Sequence, residues 1–316
     1  MLKKNGVNTE MRNIRYIKKV VKGYFDLIRP FTLLAPIIVS MCIMLASFFY
    51  NNRTGDLFNI WWSTVIPACF ALAVLNGASN ALNQVTDVKA DKISKPYRPI
   101  PRGDVSLKEA KIISLIMYII AVTMATSVNV MFCVFVLMIT VFTITYSLPP
   151  RLKNVLFLNQ LWVGIPRGLL GILASWSVFG NALQPLPLTI GSIAMCFLIG
   201  GSVTKDITDK EADKETGTRT LVNTYGVKQA AFIALPFMFF PFTFIPLLID
   251  SGILGSNLWL LTLLAIPAYY IFHLMIRDNS TGKRLENTSS WTLMYITYFI
   301  FASGFSLLTI TSSILL

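Results

Sequence analysis

Charge is scarce in this chain. Of its 316 residues, 13% are Asp, Glu, Lys or Arg, against about 25% in an average soluble domain. So little charge cannot solvate a water-soluble globule of this size, which excludes a disordered chain and an ordinary cytosolic enzyme. Histidine occurs once, at His273; a single imidazole does not support a multi-histidine zinc site, and no Ser-His-Asp set appears around it. The cysteines number four, Cys42, Cys69, Cys133 and Cys196, and all lie inside apolar runs. They read as small buried hydrophobes, not as a disulfide framework or a metal cluster. No phosphate-binding glycine loop is present, and the first thirty residues carry no early apolar stretch of the signal-peptide kind. Acidic residues are also few, 15 against 27 Lys and Arg, for a net charge of +12.

Hydrophobic residues are plentiful: 54% of the chain, with a mean hydropathy of +0.64. They fall into nine runs, at 31–50, 61–82, 112–128, 130–148, 155–179, 188–203, 230–249, 258–276 and 291–314. A helix needs about 20 mostly apolar residues to cross the hydrocarbon. The runs are too long for barrel strands and do not alternate. The expected fold is all-α: a polytopic membrane protein with nine transmembrane helices in a single bundle. The prolines inside several runs are compatible with this, because neighbouring helices re-satisfy the freed carbonyls. The connections alternate in character, and 25 of the 27 Lys and Arg lie in one set of them: 1–30, 83–111, 149–154, 204–229 and 277–290. By the positive-inside rule that set is cytoplasmic. The expectation is a multi-pass protein of the cell membrane, N-terminus cytoplasmic and C-terminus outside. The surplus of cations then marks topology, so no nucleic-acid partner is expected. Residues 1–30 read as a basic interfacial segment, with Ile14, Ile17, Val20, Val21 and Tyr24 on one helical face among Arg15, Lys18, Lys19 and Lys22. Residues 31–316 form the bundle domain.

The acidic residues cluster. Asn83, Asp87 and Asp91 follow the second run at intervals of four, and Asn80 extends the row one turn back. On a helix continuing past the membrane edge they share one face. Two carboxylates and an amide oxygen are hard ligands suited to Mg²⁺. Lys92, Lys95, Arg98 and Arg102 come next, on a loop with three prolines in six residues, which predicts a stiff, extended segment that keeps the cations near the carboxylates. The same device recurs after the sixth run. Asp206, Asp209 and Asp213 are spaced by three and four, on the same side of the membrane, with Arg219 beyond Gly217. A single D-x-x-x-D is more often a solvated helix end; two in matching positions, each with a basic tail, weaken that reading. A bare cation would not require the basic residues, and a bare anion would not require the carboxylates. A diphosphate carried on Mg²⁺ uses both. At the mouth of an apolar bundle, its organic part can lie among the helices, as the long tail of a polyprenyl diphosphate would.

These strings resemble the two aspartate-rich motifs of the UbiA-type intramembrane prenyltransferases, and the resemblance spans the whole chain. It implies a nine-helix bundle with a cytoplasm-facing active-site cavity and Mg²⁺-dependent transfer of a prenyl group from a polyprenyl diphosphate to a lipophilic acceptor. It implies that Asn83, Asp87 and Asp91 hold one Mg²⁺, that Asp206, Asp209 and Asp213 serve the other, and that Lys92, Lys95 and Arg98 contact the diphosphate. The family's tyrosine-and-lysine motif is matched by Tyr146-Ser-Leu-Pro-Pro-Arg151-Leu-Lys153, which adds Tyr146 to the catalytic set and Lys153 to the diphosphate contacts. Two departures stand out: Gln84 where many members carry Asp, and Arg102 before the loop glycine. The strings from Lys95 to Gly103 and from Tyr146 to Pro150 are similar to digeranylgeranylglyceryl phosphate synthases and to chlorophyll synthases. The acceptor expected is therefore an isoprenoid glycerol phosphate, with chlorophyllide or an aromatic quinone precursor as alternatives.

Arg167 lies near the middle of the fifth run, within Gly164-Ile-Pro-Arg-Gly. A charge at that depth is costly and should face a cavity or a partner. It reads as an anion contact, to the diphosphate or to the acceptor; the competing reading is an Arg that snorkels or bonds carbonyls freed by Pro166. Asn159 and Gln160 are weaker pocket candidates, and His273 reads as structural. A cation-coupled secondary transporter is the rival from another class, but its carboxylates belong near the bilayer midplane, not at one face. No obligate protein partner is indicated.

Overall fold

The structure is a computed structural model that describes residues 18–278 and 288–315. Within the basic segment, residues 1–17, with Ile14, Arg15 and Ile17, lie outside the described residues, as do Lys283 and Arg284. Every regular element among the described residues is helical. α1 covers 18–28, α2 Pro30–Tyr50, α3 Leu57–Thr86, α4 Val88–Ser94, α5 Leu107–Thr126 and α6 Val130–Ser147. α7 runs over 158–176 as three consecutive pieces, Leu158–Gly164, Ile165–Leu170 and Gly171–Trp176, the middle one wound as a π-helix. α8 is Pro185–Gly201, α9 Val203–Thr216, α10 Leu221–Thr243 and α11 Ile245–Asp250. A 3-10 segment, Ser256–Leu264, leads into α12, Ala265–Asp278, and α13 is Ser289–Leu315.

Among the described residues, eight helical stretches are long and apolar enough to cross a membrane. α7 is not one of them, because Asn159, Gln160 and Arg167 dilute its apolar character. Successive helices pack side by side in the order α2, α3, α5, α6, α7, α8, α10, α12, α13, and α13 closes the ring against α2. One apolar core unites α8, α10, α12 and α13 with part of α2; a second unites α3, α5 and α6 with part of α7. The outer faces are apolar too. Leu115, Ile119, Val141 and Ile266 are each at least half exposed, a surface that belongs against lipid.

Local chemistry sets the helix ends. A capping box starts α5: the Glu109 amide donates to Ser106 Oγ, and the Ser106 amide donates to Glu109 Oε2. The Asn129 side chain caps α6 by accepting from the Phe132 amide. Gly217, at φ 71, ends α9 in the left-handed region that L side chains avoid. α7 and α8 approach so closely at Gly168 that an added Cβ would lie 2.5 Å from the Met195 backbone. α1 is fastened to the bundle edge: Leu27 packs on Ala81 and Val85, Gln84 Nε2 donates to the Leu27 carbonyl at 2.7 Å, and Lys19 pairs with Asp104 at 3.0 Å.

Candidate active site

A cavity of about 260 Å³ opens between the two cores, room for on the order of twenty waters and therefore for an organic ligand as well as a head group. Helices α2, α3, α6, α7, α8 and α13 line it, with α4 and α9 packed together at one end. The helix that carries the first acidic row does not run straight. It breaks at Asp87 (φ −105, ψ 14) and restarts as α4. The row survives because the backbone keeps its four-residue bonds, Asp87 N to Asn83 O at 2.9 Å and Asp91 N to Asp87 O at 2.8 Å. Asn83, Asp87 and Asp91 all line the cavity.

Each carboxylate of this row is already held by cations. Asp87 Oδ1 accepts from Arg151 Nη2 at 2.8 Å and from Lys153 Nζ, and Lys153 Nζ also donates to Asn83 Oδ1 at 2.9 Å. Arg151 is in the left-handed region at φ 53, which costs a non-glycine residue about 1–2 kcal/mol; the pairing with Asp87 offsets that cost. Burial pushes the Lys153 ammonium down from 10.5 to about 8, against the pull of Asp87. Arg98 Nη1 donates to both oxygens of Asp91 at 2.9 Å, and both side chains are buried. Burial raises the Asp91 carboxyl despite the guanidinium beside it.

The second row rides on the unbroken α9, and Asp206, Asp209 and Asp213 all line the cavity. Here cations are fewer. Lys95 Nζ reaches across from the first motif to Asp209. Asp206 accepts from the neutral amide of Gln160 at 3.2 Å. The Asp213 carboxylate forms no hydrogen bond or ion pair among the described residues. Lys205 Nζ donates to Tyr146 Oη at 3.0 Å, and both it and Lys153 stand 5.7 Å from the Tyr146 ring centre.

The cavity thus gathers Asn83, Asp87, Asp91, Lys95, Arg98, Tyr146, Lys153, Arg167, Asp206, Asp209 and Asp213. It does not gather Lys92, which is exposed and outside the lining. Arg102 also turns away: it pairs with Asp26 at 2.8 Å and with Asp104. Hydrogen bonds from Lys19 and Arg102 hold the Asp104 carboxyl below its ordinary value, overcoming the burial that would raise it. The loop between α4 and α5 is not extended, as its prolines predict, but coiled in tight turns. The amides of Arg98, Arg102, Gly103 and Asp104 bond back three to five residues, to Lys95, Arg98, Ile100 and Pro99, and that coiling swings Arg98 inward and Arg102 outward. Gln84 is spent on α1 and lies outside the cavity lining, so the departure from Asp there leaves the first row whole. Three contributors go unmarked by the acidic spacing: Arg151, Lys205 and Gln160. Lys205 has a signal in the sequence, standing four residues before Asp209 on the same helical face. Arg151 and Gln160 reach their carboxylates only through tertiary packing.

No group of three or more His, Cys, Asp or Glu converges on one point among the described residues. The donor set is instead spread over two facing helices, and all its ligand atoms are oxygens. Asn159 Oδ1 and Gln160 Oε1, buried next to Asp206, have no hydrogen-bond donor. Carboxylates with orphaned amide oxygens fit a hard divalent cation, Mg²⁺ before zinc.

Residues 33–295 match the model of the UbiA prenyltransferase family. A digeranylgeranylglyceryl phosphate synthase from Methanobrevibacter smithii is 26% identical over 89% of this chain and 97% of its own length. One from Methanosarcina barkeri is 32% identical over 67% of this chain and 73% of its own. Among solved structures, a UbiA homologue from Archaeoglobus fulgidus bound to GPP and Mg²⁺ superposes with a TM-score of 0.66, covering 93% of this chain and all of that one, at 17% identity.

Proposed function

The chain belongs to the UbiA prenyltransferase family and is a multi-pass membrane prenyltransferase, and from that premise we propose its substrates and the roles of its residues. The donor is a polyprenyl diphosphate, geranylgeranyl diphosphate or one of similar length. The acceptor is an isoprenoid glycerol phosphate, and the product is an ether lipid. The observation that carries this reading is the pair of carboxylate rows facing each other across one cavity, interleaved with Lys95, Arg98, Arg151, Lys153 and Lys205. The named relatives support the choice of acceptor over chlorophyllide or a quinone precursor.

Asn83, Asp87 and Asp91 on one side, and Asp206, Asp209 and Asp213 on the other, would hold Mg²⁺. When bound, the metal supplies positive charge to the phosphate oxygens of the leaving group. Lys95, Arg98 and Lys153 bind the diphosphate and stabilise the charge that develops as the allylic C–O bond breaks, its electron pair leaving with diphosphate. The prenyl tail lies among apolar cavity residues such as Leu72, Leu75, Ile139 and Leu198, which exclude the water that would quench cationic character at the allylic carbon. Tyr146, fixed by Lys205, places its ring at the head of that apolar region, where a π face favours a nearby cation. An acceptor hydroxyl oxygen then forms the new C–O bond, and its proton leaves with the diphosphate. The aspartates act as metal ligands, not as general bases. We place the cavity mouth and the N-terminus on the cytoplasmic side, and the C-terminus outside.

Purified protein given labelled geranylgeranyl diphosphate, Mg²⁺ and an isoprenoid glycerol phosphate should release one diphosphate per ether lipid formed. Cation-driven flux across vesicles without such product would instead establish the transporter reading.

A further inference from the structure

Arg167 lines the cavity but stands apart from the cations that hold the two carboxylate rows. It lies on the π-wound middle piece of α7, and although exposed, it is exposed to the cavity it lines. Two ordinary explanations for an arginine at that depth fail. It does not repair carbonyls freed by Pro166: among the described residues its guanidinium donates to no backbone carbonyl, and the one tertiary hydrogen bond at this residue is accepted by its own carbonyl, from Tyr298 Oη at 3.0 Å. Nor is it half of an ion pair, since its guanidinium forms no hydrogen bond or salt bridge among the described residues. An unpaired guanidinium inside a bilayer-spanning bundle is expensive to maintain. The fold nonetheless fixes its backbone closely, because Gly168, the next residue, lets α7 rest directly on α8 at Met195.

The diphosphate end of the cavity does not call for this charge. Gln160, seven residues earlier on α7, touches Asp206 at the mouth, so Arg167 is rooted about 10 Å deeper by helical rise. Without it, the cavity already sets six cations (Arg29, Lys95, Arg98, Arg151, Lys153 and Lys205) against five aspartates. A pair of divalent metals outweighs a diphosphate ester in charge, so binding the donor leaves no anion there to neutralise. We infer that Arg167 is the acceptor's recognition group: its forked guanidinium binds the anionic phosphate of the acceptor and sets the acceptor hydroxyl toward the allylic carbon. A planar fork matches a phosphate bidentately, which a lysine at the same place does not. This rests on the proposed function for the identity of the acceptor.

The test compares wild type, Arg167→Gln and Arg167→Lys with two acceptors: the isoprenoid glycerol phosphate and the same lipid without its phosphate. Turnover is measured together with direct binding of the phosphorylated lipid to detergent-solubilised protein. Arg167→Gln should raise KM and Kd for the phosphorylated acceptor on the order of 50-fold, as loss of a charge-assisted pair predicts. It should leave the KM for the prenyl diphosphate and for the unphosphorylated acceptor unchanged, and Arg167→Lys should recover part of the loss. A rise in KM for the prenyl diphosphate, or an equal loss with both acceptors, would overturn the assignment. If wild type transfers to neither acceptor but its binding of the phosphorylated lipid still depends on Arg167, the function fails and the anion site stands. If transfer is normal and ignores Arg167, the function stands and the anion site fails.

Discussion

The two carboxylate rows look alike in sequence and differ in how they are held. On α3 and α4, Asp87 is gripped by Arg151 and Lys153, and Asp91 by Arg98. On α9, Asp209 borrows a single lysine from the first motif, Asp206 leans on a neutral amide, and Asp213 has no side-chain partner among the described residues. The first row is a finished electrostatic structure that holds its shape through internal pairs. The second is short of positive charge, and a bound cation would complete it. Both rows would serve the metal, but stability should depend more on the first row than on the second.

The largest test of that division is Asp91→Ala. The change removes the carboxylate that neutralises a buried guanidinium, and breaking such a pair costs about 3–5 kcal/mol. Thermal unfolding in detergent should show the loss even without Mg²⁺ or substrate. Asp209→Ala should abolish Mg²⁺-dependent transfer with a smaller loss of stability, about 1.5–3 kcal/mol from its pair with Lys95. Equal destabilisation by the two would erase the contrast between the rows.

How far the sequence carries this picture depends on the range of each interaction. Helical spacing is local, so both acidic rows are readable from intervals of three and four. The long apolar runs and the one-sided cations are equally plain. The partners are not readable. Lys153 meets Asp87 across 66 residues, and Lys95 meets Asp209 across 114. No local pattern encodes which loop folds over which helix end. The prolines after Lys95 suggest an extended loop, but backbone hydrogen bonds within 95–104 coil it instead. Gln84 reads as a lost ligand because its direction, toward α1, is a tertiary fact. The break in α7 is foreshadowed by Pro166 and its glycines, though not its π winding.

Next in size is the link between the rows. Lys95 and Asp209 are both largely buried, and a charge-assisted hydrogen bond of that kind contributes about 1.5–3 kcal/mol. A double-mutant cycle with Lys95→Met and Asp209→Asn, read by thermal unfolding, should show a coupling in that range. A coupling near zero would mean that the rows are independent and that the short second row has no support from the first. The third test uses Lys153, whose folded value is lowered from 10.5 to about 8. Between those values the unfolded chain binds more protons than the folded one, so stability rises with pH, by at most about 1.4 kcal/mol per unit. Wild type should gain stability from pH 8 to pH 9.5 relative to Lys153→Met. Parallel pH profiles would show that the first row does not carry a strained buried cation.

The smallest expected effect on stability is also the most discriminating. Asp213→Asn keeps the shape of the side chain and removes a charge that no hydrogen bond or ion pair holds among the described residues. The fold should barely notice, with a change within about 0.5 kcal/mol, as for a surface substitution away from any pair. Function should respond: the Mg²⁺ concentration for half-maximal transfer should rise roughly tenfold, in line with the loss of one oxygen ligand or its support. The two readouts pull apart only if the second row is kept short of cations for a bound metal to complete. A stability loss like that of Asp91→Ala would place Asp213 in an internal pair of the first kind. Unchanged stability with an unchanged Mg²⁺ requirement would make it a solvated helix end, and would leave Asp206 and Asp209 alone as the second row.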